Sequence, residues 1–303
     1  MKKVSIIGAG MVGSRAAAEI ARMNICDEVV LLDIKPGLAE GKAMDIMQSL
    51  DILGCYDTDV LGFTGNYDEL RNSDVVVVVS GVPRKPGMSR EDLVEGSANV
   101  VKSVLKSAYE VVPEAIYVIV SNPVDTMTYL AVKFLEKLGK KDAKTKVFGM
   151  GGILDSARLH YYLMKETKRY WMNEVSGYVI GGHGDTTMIP VIDEEKGEFD
   201  FDKVIKETME GGKTLTELLG TSAWEAAGAA IAKTVHDIIC DCRYFENPFS
   251  VYREEYDACV GTMVSIGSEG IVNISKDDED QEVLESTCII EEIKEVNKAL
   301  GEI

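Results

Sequence analysis

His183 stands in Gly181-Gly182-His183-Gly184-Asp185, with glycines on both sides that keep other side chains from crowding the ring. A histidine so placed can exchange a proton near neutral pH. A turn histidine bonded to Asp185 would give the same local pattern. The chain has only two other histidines, His160 and His236, and both fall in helical patterns that suit packing. Upstream, Leu154-Asp155-Ser156-Ala157-Arg158 opens a helical stretch and puts Asp155 and Arg158 on one face. They could form an ordinary ion pair worth ~0.3 kcal/mol. They could also act separately, Asp155 orienting His183 and Arg158 gripping a carboxylate with its planar fork. Asn122, in Ser121-Asn122-Pro123-Val124-Asp125, follows a buried apolar run. That is the edge where open α/β sheets bind ligands, although Asn-Pro is also a common turn.

A second constellation is Gly8-Ala9-Gly10-Met11-Val12-Gly13, with Asp33 twenty residues further on. Alone the glycine spacing is weak; between a strand and a helix it describes a dinucleotide site. The first glycine permits a tight turn, the second lets a pyrophosphate reach the backbone, and the third allows close helix–sheet packing. Uncapped N–H groups at the helix start would face the phosphates. Asp33 would bind a ribose hydroxyl and repel a 2′-phosphate, which favours NAD over NADP; Lys35 nearby pulls the other way.

The third is a cationic loop, Gly81 to Asp92, which sets Arg84, Lys85 and Arg90 between Gly and Pro breakers in a chain of formal net charge -19. The overall acidity argues against nucleic acid and against an anionic membrane surface. No apolar run approaches the ~20 residues of a membrane span. The six cysteines show neither CxxC pairs nor a disulfide framework, and no secretory signal precedes the first strand, so a cytoplasmic location is expected. Cys240-x-Cys242 has no Cys/His pair at ligand spacing, so no metal is expected.

These residues need a scaffold. In the first half, strand-like runs at 3–8, 28–33, 59–63, 74–80, 115–121 and 146–148 alternate with amphipathic stretches at 11–24, 38–50, 90–110 and 126–138. The runs around Val75 and Ile116 are apolar throughout, the mark of strands covered on both faces in a parallel sheet. This predicts an α/β fold, a doubly wound Rossmann domain over 1–148. An α+β second domain over 149–303 is expected from a helix at 153–168, strands at 175–181 and 188–191, and an alanine-rich helix at 223–240. Strand-like pieces follow over 258–274, then a charged helix over 278–300.

Taken together, "GAGMVGS", Asp33, "GVPRKPGMSREDL", "SNPVDTMTYL", "GMGGILDSARL" and "GGHGD" resemble, in order, the NAD-dependent lactate/malate dehydrogenase family, and its malate branch most closely. The resemblance covers nearly the whole chain and is weakest over 240–274. It implies that His183 takes the proton when a 2-hydroxy acid is oxidised, that Asp155 holds it, and that Arg158 binds the substrate's first carboxylate. Arg90 would polarise the carbonyl from a closing loop, and Asn122 would touch cofactor and substrate. Ser97, Val120 and Ser121 would join Gly8, Ala9, Gly10, Met11, Val12, Gly13 and Asp33 around NAD. Arg84 would choose the substrate, since lactate enzymes of the family usually carry glutamine there. Ala223 replaces a threonine frequent in the lactate branch. A dianionic dicarboxylate needs a second arginine, because a buried unpaired charge costs several kcal/mol.

The chain departs from the family pattern at Ser97, usually asparagine, and by one extra residue between Asp185 and Pro190. The expectation is reversible oxidation of (S)-malate to oxaloacetate by a homodimer or homotetramer. The alternatives are an enzyme for lactate or another 2-hydroxy acid, and a non-catalytic NAD-binding module. The last has no use for Asp155, Arg158, His183 and a basic loop together.

Overall fold

The computed structural model describes residues 1–81, 90–169, 175–192 and 199–301, with backbone alone at 90–93. Six parallel strands form its first half: β1 (Lys3–Ile7), β2 (Glu28–Asp33), β3 (Asp59–Thr64), β4 (Val75–Val78), β5 (Ile116–Ile119) and β6 (Val147–Gly149). Their order, β3-β2-β1-β4-β5-β6, is the doubly wound one, with the switch point between β1 and β4. β4 and β5 are buried along their whole length, as their apolar sequence requires, and β1 is buried too although it carries Lys3 and Ser5.

Alternate residues of these strands feed two cores. Val4, Ile6, Val75 and Val77 pack on one face with residues of α1 (Met11–Met23), α2 (Leu38–Leu53) and α8 (Glu225–Ile239). Ile7, Val76 and Val78 pack on the other with α3 (Arg90–Val111) and α4 (Val124–Leu138). A short helix, α5 (Ala143–Lys146), leads into β6.

Beyond Gly149 every strand pairing is antiparallel. The elements are α6 (Gly152–Thr167), β7 (Gly177–Gly181), β8 (Met188–Ile192), α7 (Phe201–Leu219), α8, β9 (Glu246–Arg253), β10 (Ala258–Gly267), β11 (Gly270–Ile274), α9 (Asp278–Ser286) and α10 (Ile289–Lys298). Among the described residues, their strands pair with the parallel ones at a single position, Gly149 beside Ser250. α7 and β9 are not among the segments that sequence pattern points to. β9 contains Pro248 and several polar residues, yet its centre is buried. α7 carries Gly211-Gly212 in its interior, which breaks the usual helical signal.

The single helix expected over 278–300 is two helices, with Thr287 extended between them (φ -99, ψ 161). On one straight helix Leu284 and Ile289, five residues apart, would point about 140° from each other. The break turns both into one cluster with Ile290 and Ile293 under β10. Asp277 caps α9, accepting the Glu279 N–H at 2.9 Å. Among the described residues no helix is long and apolar enough to cross a membrane.

Candidate active site

The glycine turn joins β1 to α1, and each of its glycines has a separate reason. Gly8 has φ +115, a conformation that side chains disfavour. A Cβ on Gly13 would lie 1.9 Å from the Gly8 carbonyl oxygen. A Cβ on Gly10 would meet nothing within 4 Å, so the space above it is open. Gly10 starts α1, whose first turn has neither a side-chain cap nor an acid. The N–H groups of Met11, Val12 and Gly13 are therefore available to an anion. Asp33 ends β2 beside this turn. Its Oδ2 accepts the Ala9 N–H at 2.8 Å and its Oδ1 the Lys35 N–H at 2.9 Å, which fixes the carboxylate at the sheet edge. This donor set fits a dinucleotide: open backbone donors for the pyrophosphate and an oriented acid for the ribose.

From that edge a cavity of about 390 Å³ runs toward the second half of the chain. Its wall includes Val12, Ser97, Val120, Ser121, Asn122, Arg158, His183 and Ala223, all named from sequence. Ser97 is buried in α3, while Asn122 is exposed just before α4. Sequence reasoning missed Gly212 and Thr216 from α7, Ser222, and the apolar wall of Val79, Met150, Leu154 and Ala227. Gly81 lies at the rim. Arg84 and Lys85 fall outside the described residues, and Arg90 opens α3 with its side chain outside them.

Asp155 is the hinge of the charged cluster. It lies in the first turn of α6 and is 1% exposed. Its Oδ2 stands 2.5 Å from His183 Nδ1, and its Oδ1 accepts Arg158 Nη1 at 2.8 Å. The i,i+3 ion pair and the orientation of His183 are thus both present on one carboxylate. The histidine ring is bonded to Asp155, and Asp185 is exposed. Arg158 Nε is buried and has no hydrogen-bond partner among the described residues. A guanidinium half-paired beside a cavity is suited to a carboxylate ligand. Gly151, before α6, lets the histidine come close, since a Cβ there would sit 3.1 Å from His183 Cβ and Cγ.

Burial of the ring pushes the His183 pKa down, but the charge and hydrogen bond of Asp155 outweigh this and hold it above the ordinary histidine value. With Nδ1–H donated to Asp155, Nε2 is left as the nitrogen that exchanges a proton. The extra residue after Asp185 is taken up in a turn in which Thr187 N–H bonds Gly184 O at 2.9 Å. Thr186 Oγ1 donates to Glu292 at 3.0 Å.

The other histidines serve elsewhere. His160 Nε2 lies 2.7 Å from Gly177 O and ties α6 to β7. His236 Nδ1 comes within 3.8 Å of Cys242 Sγ and 3.1 Å of Asp237 Oδ1, a neighbourhood that linear spacing did not reveal. Lys233 already pairs with Asp237, and burial with the Asp237 charge pushes the Cys242 thiol up. These contacts account for the group as an ion-paired cluster.

Known proteins supply an independent comparison. Residues 2–149 match the family model described as the lactate/malate dehydrogenase NAD binding domain, and residues 153–300 its alpha/beta C-terminal domain. The chain is 48% identical over 292 residues to the malate dehydrogenase of Bacteroides thetaiotaomicron, covering 90% of each. Among solved structures, Cryptosporidium parvum malate dehydrogenase superimposes with a TM-score of 0.87 at 32% identity, over 100% of this chain and 99% of that one. Archaeoglobus fulgidus malate dehydrogenase in complex with NADH gives a TM-score of 0.87 at 30% identity, over 99% and 100%.

Proposed function

The chain belongs to the lactate/malate dehydrogenase family and catalyses the NAD-dependent interconversion of malate and oxaloacetate; from that premise we propose how its own residues carry the reaction. NAD, when bound, supplies the hydride acceptor for C2 of (S)-malate. Gly8, Ala9, Gly10, Met11, Val12 and Gly13 would hold the pyrophosphate, Asp33 the ribose, and Ser97, Val120, Ser121 and Asn122 the nicotinamide half.

His183 Nε2 takes the C2 hydroxyl proton during oxidation and returns it during reduction. Asp155 fixes the ring and stabilises the imidazolium that forms. Arg158 binds the first carboxylate through the part of its guanidinium that Asp155 leaves open. Arg84 grips the second carboxylate and Arg90 polarises the carbonyl, with Asn122 beside the same oxygen. The observation that carries this reading is the Arg158–Asp155–His183 chain, its aspartate buried and its arginine and histidine on the wall of the cavity that also contains Asn122 and Ser97.

The division at 148/149, a place in the tricarboxylic acid cycle, a cytoplasmic location and a homodimeric or homotetrameric state are part of the same proposal. The free cysteines suit a reducing compartment. Exposed Met44, Ile52 and Leu53 on α2 offer apolar surface to a second copy. α8 by contrast buries Ala227, Gly228 and Ile231 within its own chain.

The test follows NADH consumption with oxaloacetate for the wild type and His183→Asn. The wild type should turn over, while the variant should still bind NADH but lose on the order of 10²–10⁴ in rate. Equal rates would remove His183 from the chemistry.

A further inference from the structure

We propose that the C-terminal end of α8 is a binding site for a divalent transition-metal ion of the zinc class, held by His236 Nδ1, Asp237 Oδ1 and Cys242 Sγ. Spacing in the sequence does not suggest it, because the sulfur is brought back by the turn that ends the helix. Asp241 is left-handed there, with φ 55. Its N–H bonds Ile238 O at 3.3 Å and the Cys242 N–H bonds Asp237 O at 2.9 Å, the paired bonds of a Schellman turn. The Asp241 carboxylate also accepts the Ser268 N–H at 2.9 Å, which ties the turn to the β10–β11 hairpin. Cys242 is thereby folded back beside the last turn of α8, where His236 lies.

The three donor atoms lie within 4.8 Å of one another. Nδ1 stands 3.1 Å from Oδ1 and 3.8 Å from Sγ. In a tetrahedral zinc site, bonds of about 2.0–2.1 Å to nitrogen and oxygen and about 2.3 Å to sulfur put those pairs about 3.4 Å and about 3.6 Å apart. Shifts of a few tenths of an ångström therefore admit the ion. Lys233 Nζ holds Oδ2, the other oxygen of Asp237, and so orients the carboxylate without taking the oxygen that the ion needs. One nitrogen, one oxygen and one sulfur suit zinc or cobalt; magnesium and calcium take oxygen ligands. The carbonyl end of the helix adds a field that favours a cation.

In the free protein the same atoms form the ion-paired cluster, with the sulfur protonated. The ion takes a lone pair from each of the three donors, Cys242 releases one proton to solvent, and the ring proton of His236 sits on Nε2. The groups facing Cys242 are His236, Asp237 and Lys233 from α8 and Cys240 from its own turn. Burial, and then the Asp237 charge, hold the thiol above its ordinary value, so a proton is still there to be displaced at neutral pH. Cys240 is exposed and at hand for the fourth position. Ala227, on the wall of the cavity, precedes His236 by about 14 Å of helix, so the ion braces the end of α8 and does not touch substrate.

The experiment adds Co²⁺ or Zn²⁺ to chelator-treated full-length wild type, Cys242→Ser, His236→Gln and Cys288→Ser, the last a control for an exposed thiol elsewhere. Wild type and Cys288→Ser should take up one equivalent of Co²⁺ with a cobalt–thiolate absorption, release about one proton per ion, and gain Tm with Zn²⁺. The Kd should fall about tenfold for each pH unit above neutrality, as displacement of one proton requires. Cys242→Ser should lose the absorption, and His236→Gln should weaken binding about tenfold or more. No stoichiometric uptake by wild type, an absorption that survives Cys242→Ser, or a Kd that His236→Gln leaves unmoved would overturn the proposal. If Cys242→Ser does not fold, His236→Gln and the proton count decide. None of these readings uses turnover, so they stand apart from the proposed roles in catalysis.

Discussion

Oδ2 of Asp155 lies 2.5 Å from Nδ1 of His183, and the aspartate reaches it from the first turn of a helix 28 residues earlier in the chain. The contact fixes which ring nitrogen is left for substrate and stabilises the charge that the ring acquires. Asp155→Asn keeps the shape but removes the charge and permits the wrong tautomer. Activity with oxaloacetate should fall on the order of 10²–10⁴-fold while NADH binding persists. Retention of more than about a tenth of the wild-type rate would detach Asp155 from that role.

The two reaction directions should respond oppositely to pH. With His183 as the proposed base, malate oxidation needs the neutral ring, so its kcat/KM should fall as pH drops through a pKa that Asp155 holds above the ordinary histidine value. Oxaloacetate reduction needs the protonated ring and should fall as pH rises through the same value. The stability term has a definite sign. The folded pKa exceeds the unfolded one, so the Asp155–His183 contribution is full below the unfolded pKa and is lost as pH rises through the folded one. Profiles of both directions in one buffer series check this; limbs moving in the same sense would contradict it.

The glycines of the β1–α1 turn separate packing from binding. Gly13→Ala drives a Cβ against the Gly8 carbonyl oxygen, and should lower stability by about 1–3 kcal/mol in thermal or denaturant unfolding. Gly10→Ala meets open space in the free protein. It should leave unfolding unchanged and raise the Kd for NADH about tenfold or more, since the methyl occupies the room a pyrophosphate would need. Equal effects of the two substitutions on unfolding would refute the separation.

The parallel half was legible because its central strands, β4 and β5, are covered on both faces. That condition writes itself as continuous Val and Ile runs, and the glycine turn and Asp33 have a fixed relation to those runs. The second half encodes less locally. β9 was invisible because Ser250 and Pro248 are buried by partners far away in sequence. α7 was hidden by Gly211-Gly212, which lie against Tyr162 and Arg158. At the site, His183, Asp155 and Arg158 could be named from residue type and spacing, whereas their connection could not. Asp125 stood in the quoted Ser121–Asp125 motif, but only the fold brings its carboxylate to the His183 backbone, 58 residues on.

Selection of a dicarboxylate by this pocket is read from the ratio of kcat/KM for oxaloacetate to that for pyruvate, each with NADH. Under the proposed role of Arg84, a substrate lacking the second carboxylate leaves that charge without its partner, so the ratio should exceed about 10³ and collapse in Arg84→Gln. A wild-type ratio near one would mean that the second carboxylate is not recognised, and a ratio that Arg84→Gln leaves unmoved would remove Arg84 from substrate choice.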